Sequence, residues 1–346
     1  MDHKEKNIQM PSYQVERNWL YAPSTYLIDS YSPMVEEIYL PAVGTKSSEL
    51  TFNYIGRGDS SFSELSISRK IKDLFKEKKI LPLKSVSIDL RSYSPQNISH
   101  AIMIHMPLAL WACEYLSDIG LSKPTLIFPE SLPSYVVEIF LTAGFEVYLT
   151  NNKVVGPICS FDIDMIIGIR GAMPKVLENG LKNTPFSQAI LDKSQGLPKK
   201  IFISRKDTRK LVNEESVEEF LSERGFQKVY LEEYGILEQI ALVTLADNIV
   251  AVHGAALGAL ALRGVIDSKF RKQLKIVEIF SPGHMTNVYR IIAHQIDAKW
   301  VGVRGMLWPG ILKQAYTPAA RAHKFAYTDF TVCLLSLEKA MESIDF

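Results

Sequence analysis

His253-Gly254-Ala255 is the tripeptide whose residue types and placement could do chemistry. It follows the apolar run Ile249 to Val252, which is itself preceded by Ala246-Asp247-Asn248. A short apolar run bounded in this way reads as a buried parallel strand, and open α/β sheets collect ligands at the C-terminal ends of their strands. His253 would stand there as a chemically active group. Gly254 would let backbone approach a ligand, and residues 255–263 read as a helix, so the first N–H groups after the triplet would face the same space. A phosphate is the natural guest.

A second cue is Glu278, a lone carboxylate in the apolar run Ile276 to Phe280, with Ser281-Pro282-Gly283 as the turn after it. A charge in such a strand is costly unless it is paired or bound. Two partners fit: the vicinal hydroxyls of a nucleotide ribose, or a nearby Arg or Lys. A third cue is the cationic loop Ser204 to Lys210, which follows an apolar strand at Lys200 to Ser204. Arg205 and Arg209 would line the same crevice as His253 and could hold a diphosphate, as against a plain solvated basic loop. Asn213, followed by Glu214 and Glu215, reads as a helix N-cap with acids in the first turn.

A reaction at such a diphosphate would need a proton acceptor as well as cations or N–H dipoles for the leaving group. In the first half of the chain the candidate bases are His100 and His105, at the start of an apolar helix, with Asp89 and Arg91 near a strand end. Asp162-Ile163-Asp164 places two carboxylates on one face of a strand, a pattern that can hold a divalent cation. It lies between two βα alternations, and so short a match arises often by chance, so no metal is expected.

Composition bounds the rest. The 346 residues are 47% hydrophobic, enough for two ordinary cores. With 39 basic and 38 acidic residues the net charge is +1, and no dense basic stripe marks a nucleic-acid partner. Three separated cysteines in apolar surroundings read as free thiols in a reducing compartment. The first residues lack the apolar stretch of a signal peptide, and nowhere do about 18 apolar residues run on, so a cytoplasmic protein is expected, with peripheral contact to the inner face of a membrane left open.

Along the chain, residues 1–80 read as an irregular region. Strand–helix alternation then runs through residues 86–90, 99–116, 125–128, 134–143 and 145–149, and resumes from residue 200 through five strands to 300–303. The polar segment 178–200 reads as a linker. The expected domains are 1–80, 81–185, 186–330 and a C-terminal helix in 331–346, which reads as docking on a core.

Ile203-Ser204-Arg205, Arg209, Asn213-Glu214, Glu238-Gln239, Ala246-Asp247, His253-Gly254-Ala255 with Leu257, and Val277-Glu278-Ile279 together resemble glycosyltransferase family 61. Asn97 and His100 resemble the family's Asn-Tyr-x-His stretch. The resemblance implies an α/β protein with two Rossmann-like domains facing a cleft (GT-B-like), after the irregular N-terminal region. It implies inverting transfer from a nucleotide-sugar donor, held mainly by the C-terminal domain, to a glycan or glycolipid acceptor, as in surface polysaccharide biosynthesis. His100 and His253 are then the catalytic candidates; Arg205, Arg209, His253, Gly254 and Ala255 would hold the donor diphosphate, and Glu278 the nucleoside. The chain departs from the family where Ala259 replaces an Asn, which leaves a non-catalytic nucleotide- or glycan-binding protein as the alternative.

Overall fold

The computed structural model describes residues 3–10, 13–23, 35–45, 48–60, 80–161, 173–266, 272–307 and 327–346. The carboxylates Asp162 and Asp164 and the stretch 61–79 lie outside the described residues. The chain divides into two compact units, one of residues 1–12 and 46–189 and one of residues 13–45 and 190–346.

The first 60 residues carry strands β1 (His3–Met10), β2 (Tyr13–Val15), β3 (Asn18–Pro23), β4 (Val35–Leu40), β5 (Val43–Thr45) and β6 (Ser48–Ser60). The reading of residues 1–80 as irregular therefore gives way. β1 is polar except at Ile8 and Met10, so no apolar alternation announces it; antiparallel backbone pairing with β6 makes it a strand. β1 and β6 serve the first unit, whereas β2 to β5 belong to the second.

In the first unit β7 (Ile80–Pro82), β8 (Ser87–Asp89), β9 (Thr125–Phe128), β10 (Val147–Leu149) and β11 (Lys153–Phe161) complete a sheet ordered β1-β6-β11-β8-β9-β10, with β7 also on β11. The run β11-β8-β9-β10 is parallel. The expected helix over 99–116 is built in three parts: one turn at Ile98–His100, a π-helical segment at Ala101–His105, and α1 (Met106–Asp118). Asn97 caps the first turn by accepting from the Ser99 N–H at 2.9 Å. Pro107 has no N–H to give, so the i→i−4 ladder must break near it, and the π turn lies just before that point. α2 (Ser134–Thr142) covers the sheet with Val136, Ile139 and Phe140 fully buried. The expected linker at 178–200 instead holds the end of α3 (Met173–Leu181) and all of α4 (Pro185–Asp192). Leu177, Leu181, Phe186 and Ile190 give these helices an apolar face that the surrounding polar residues obscure in the sequence.

The second unit is built on β12 (Lys200–Ile203), β13 (Gln227–Val229), β14 (Asn248–Val252), β15 (Lys275–Phe280) and β16 (Lys299–Arg304), in the order β13-β12-β14-β15-β16-β3-β4. All neighbours are parallel except β3 and β4. The crossovers are α5 (Glu214–Ser222), α6 (Ile236–Leu245), a 3₁₀ helix at Ala255–Val265, and α7 (Val288–Gln295); α8 (Leu334–Ser343) closes the chain. Ile249, Val250 and Ala251 are fully buried, as a strand covered on both faces requires. α8 docks through Leu337, Ala340 and Met341 onto a cluster with Val250, Val277 and Val301. Counted from β12, the first five strands stand in the order 2-1-3-4-5, whose direction reverses between β12 and β14. Loops leaving the C-terminal ends of those two strands diverge, and doubly wound sheets place ligands at that point.

Cys113, Cys159 and Cys333 are unbridged, and burial pushes the Cys113 and Cys159 thiols up to about 11 and about 12. Among the described residues no helix is long and apolar enough to cross a membrane.

The N-terminal excursion β2 to β5 is fastened by Arg290 on α7, 1% exposed, whose Nη2 donates to the carbonyls of Glu16 at 2.7 Å and Pro41 at 2.8 Å. Arg290→Met removes those donors from the Glu16 and Pro41 carbonyls and the buried guanidinium that holds them together. It should cost about 2–4 kcal/mol in denaturant unfolding of the second unit; a loss below about 0.5 kcal/mol would show that the excursion is held by its strands alone.

Candidate active site

The switch point gathers the residues expected of it. Arg205, two residues past β12, donates from Nε to the Thr208 carbonyl at 2.9 Å and from Nη1 to the His253 carbonyl at 3.2 Å. Its hydrogen bonds thus go to backbone. Arg209 takes a left-handed backbone, φ 60°, which a non-glycine residue adopts at a cost, and its Nε is buried without a hydrogen-bond partner. Among the described residues neither arginine forms an ion pair with a carboxylate. Burial lowers both guanidinium pKa values, and for Arg209 the charge of Arg205 lowers it further. Glu232, Tyr289, Asp207 and Tyr327 offset part of this for Arg205.

The arginine loop is held from two sides. The Asn213 amide, expected to cap α5, makes no cap bond. It donates instead to the Val332 carbonyl at 2.8 Å and accepts from the Val332 N–H at 3.1 Å, as a backbone strand would. Val212 N–H donates to the Phe330 carbonyl at 2.8 Å and Phe330 N–H to Lys210 at 3.0 Å. On the other side Glu214 receives the Ser204 hydroxyl and the Tyr230 hydroxyl.

Gly254 is extended, φ −169°, a conformation open to any residue. Its lack of a side chain matters for space: a Cβ there would overlap Nη1 of Arg205. The glycine thus admits a guanidinium under the loop. Ala255 opens the 3₁₀ helix, and that helix points its first N–H groups toward the end of β14. Ala259, where the family's Asn would stand, is 2% exposed and packs inside.

Glu278 is corrected in role. It is fully buried, Oε1 lies 2.6 Å from Nδ1 of His253, and Oε2 accepts from Nε1 of Trp300 at 2.9 Å. With both oxygens hydrogen-bonded and no exposed surface, it presents nothing to a ribose, and among the described residues no Arg or Lys pairs with it. Opposite an ionised carboxylate, which can only accept, Nδ1 would carry the proton, and Nε2 would be the acceptor atom of a neutral ring. The His253 ring stacks on Phe280, 5.3 Å between centroids at 25°, and lies 5.4 Å from His284 and 5.3 Å from Tyr289. Tyr327 sits 5.5 Å from the Arg209 guanidinium. Sequence reasoning missed Trp300, His284, Tyr289 and Tyr327. Only Trp300 carried a signal: a lone indole N–H donor in the strand after the buried carboxylate.

His100, the other catalytic candidate, belongs to the first unit. Its Nδ1 is 2.9 Å from the Tyr93 carbonyl, which can only accept, so there too Nε2 is the acceptor atom. Tyr93 and Ser94 both have positive φ, 62° and 50°, in the turn that presents this carbonyl. Asp89 and Arg91 form a clamp at 2.5 Å, and Arg91 Nη1 donates to Asn152 O at 2.7 Å, which occupies them structurally. His105 is 1% exposed and neither ring nitrogen has a hydrogen-bond partner.

A doubly wound sheet with two half-buried arginines at its switch point, neither in an ion pair among the described residues, defines an α/β protein. Residues 61–261, more than half the chain, match the family model described as Glycosyltransferase 61. The chain belongs to that family. It is accordingly a glycosyltransferase, with a donor and an acceptor as substrates. No curated protein matches the chain.

Within the matched segment, His105 gives a pH test. Burial pushes its imidazole down from 6.5 to about 3; the Tyr93 carbonyl opposes this, and the charge of His100 adds to it. The carbonyl does not meet hydrogen-bond geometry with either nitrogen, so burial governs. A folded-state value below the unfolded one means that the unfolded chain takes the proton first as pH falls, so stability is lost from about 6.5 down to about 3. Between pH 7 and 5 the loss from this group is about 2 kcal/mol. His105→Leu should therefore lose about 2 kcal/mol less than the parent over that interval in denaturant titrations; identical losses would place the pH sensitivity elsewhere.

Proposed function

We propose that the chain moves a sugar from a nucleoside-diphosphate-sugar donor to a hydroxyl of a glycan or glycolipid, with inversion at the anomeric carbon. The observation that carries this reading is the pair of partly buried guanidiniums, Arg205 and Arg209, without carboxylate partners at the switch point beside His253. A cation partly stripped of water gains from an anionic partner, and two of them side by side repel; a diphosphate would answer both.

In this reading Arg205, Arg209 and the N–H groups opening at Ala255 take up the charge that develops on the diphosphate as its bond to the anomeric carbon breaks. Two guanidiniums supply that charge, so the reaction is read as independent of a divalent metal. Nε2 of His253 accepts the proton of the attacking hydroxyl while the new carbon–oxygen bond forms, and Glu278 stabilises the imidazolium that results. Only a neutral ring accepts a proton, so the pH profile of turnover separates this role from that of a cationic ligand. A site in which His253 served as a cationic phosphate ligand would show the opposite slope.

Arg205→Ala should weaken nucleoside-diphosphate binding at least about tenfold, the order of one lost charged hydrogen bond. Gly254→Ala should do the same with less than about 1 kcal/mol of stability lost, because the new methyl overlaps only the end of the Arg205 side chain and meets the Val252 carbonyl at an ordinary 3.6 Å. Calorimetry gives the affinities, and slow release of sugar from uridine, guanosine or cytidine diphosphate sugars reports a competent site. Unchanged affinity in both variants would remove this crevice from the reaction, and tight binding without sugar release would favour a non-catalytic binding protein.

A further inference from the structure

We propose that Trp300 is a positioning residue for catalysis: its indole N–H fixes the carboxylate of Glu278 so that the opposite oxygen holds Nδ1 of His253. The proposal rests on the reading of His253 as proton acceptor. The geometry is a single line of hydrogen bonds across three parallel strands, Trp300 Nε1 to Glu278 Oε2 at 2.9 Å and Glu278 Oε1 to His253 Nδ1 at 2.6 Å. Glu278 is fully buried and Trp300 is 4% exposed, so neither bond is replaced by water. Trp300 also packs edge-on against Phe280, 6.3 Å between centroids, and Phe280 is the ring on which His253 stacks. One side chain thus fixes the carboxylate directly and the imidazole through its stacking partner.

The chemical consequence concerns protons. Indole N–H is a donor only, so its bond favours the ionised carboxylate over the protonated one. Without it the Glu278–His253 pair holds a proton more tightly as a unit, whichever member carries it. The other polar groups facing His253 are Tyr289 on α7, His284 in the loop after β15, and Arg205 after β12; none is altered by a change at position 300.

The test compares the full-length protein with its Trp300→Phe and His253→Gln variants, using release of sugar from nucleoside diphosphate sugars across pH. Trp300→Phe keeps an aromatic ring against Phe280 and removes the donor. The expected result is a kcat about tenfold lower, a donor KM within about twofold, and an acidic limb of the kcat profile moved up by about one pH unit. The same upward movement is expected for the His253 imidazole by NMR of histidine-labelled protein, which needs no substrate. If Trp300→Phe does not fold, the benzothiophene isostere of tryptophan at 300 removes the N–H while keeping the shape, and carries the same expectation. An unmoved acidic limb in a protein that His253→Gln inactivates overturns the role of Trp300 alone. Full activity in His253→Gln overturns the proton-acceptor reading and the Trp300 role with it.

Discussion

A carboxylate at the centre of a parallel sheet is the constraint around which the second unit is arranged. Stripping Glu278 of water costs several kcal/mol, and removing either partner of such a group leaves an uncompensated buried charge. The strands must therefore deliver two donors to it. In register, Glu278 lies opposite Ala251 on one side and Gly302 on the other. His253 is two residues beyond Ala251 and Trp300 two before Gly302, and side chains two apart share a face, so both reach the carboxylate diagonally. Gly302 has no side chain for a reason of space: a Cβ would meet Leu20 Cδ1 at 2.6 Å and the Trp300 ring at 3.0 Å. Register, a small residue and two donors together make one buried charge tolerable.

The arginines depend on a different device. Their loop leaves β12 where strand order reverses, and it is tied to residues 329–332 by backbone bonds and by the Asn213 amide acting as a piece of strand. This fastening allows Arg209 to persist in a left-handed conformation and allows Arg205 to lie under Gly254. Preorganisation of this kind is what an anion site needs, because cations already held in place do not spend the binding energy on ordering. The arginine loop and the proposed His253–Glu278 dyad meet at His253, whose carbonyl accepts from Arg205 while its ring is bound to Glu278.

Much of the second unit was legible in the sequence because its parallel strands are covered on both faces and appear as unbroken apolar runs, β14 and β15 most plainly. The His253, Arg205 and Arg209 positions followed from the rule about strand ends. The role of Glu278 did not follow, because a lone charge in an apolar strand says that a partner exists and nothing about which strand supplies it. Tyr289 and Tyr327 were invisible for a similar reason: they reach the arginines from α7 and from residue 327, and only tertiary folding brings them near. In the N-terminal 60 residues, strands made by backbone pairing left little apolar periodicity to read, so β1 to β6 were missed. The π turn before Pro107 and the helices within 178–200 show the same limit, in which packing decides what local propensity leaves open.

Arg205 and Arg209 are proposed to hold a diphosphate beside His253. This is tested most directly by a crystal structure of the protein with a nucleoside diphosphate, uridine, guanosine or cytidine, at near-saturating concentration. Both phosphates should then lie on the two guanidiniums at the C-terminal ends of β12 and β14, with Glu278 still bound to His253 and Trp300. A nucleotide ordered elsewhere in the molecule, with Arg205 and Arg209 untouched, would contradict it.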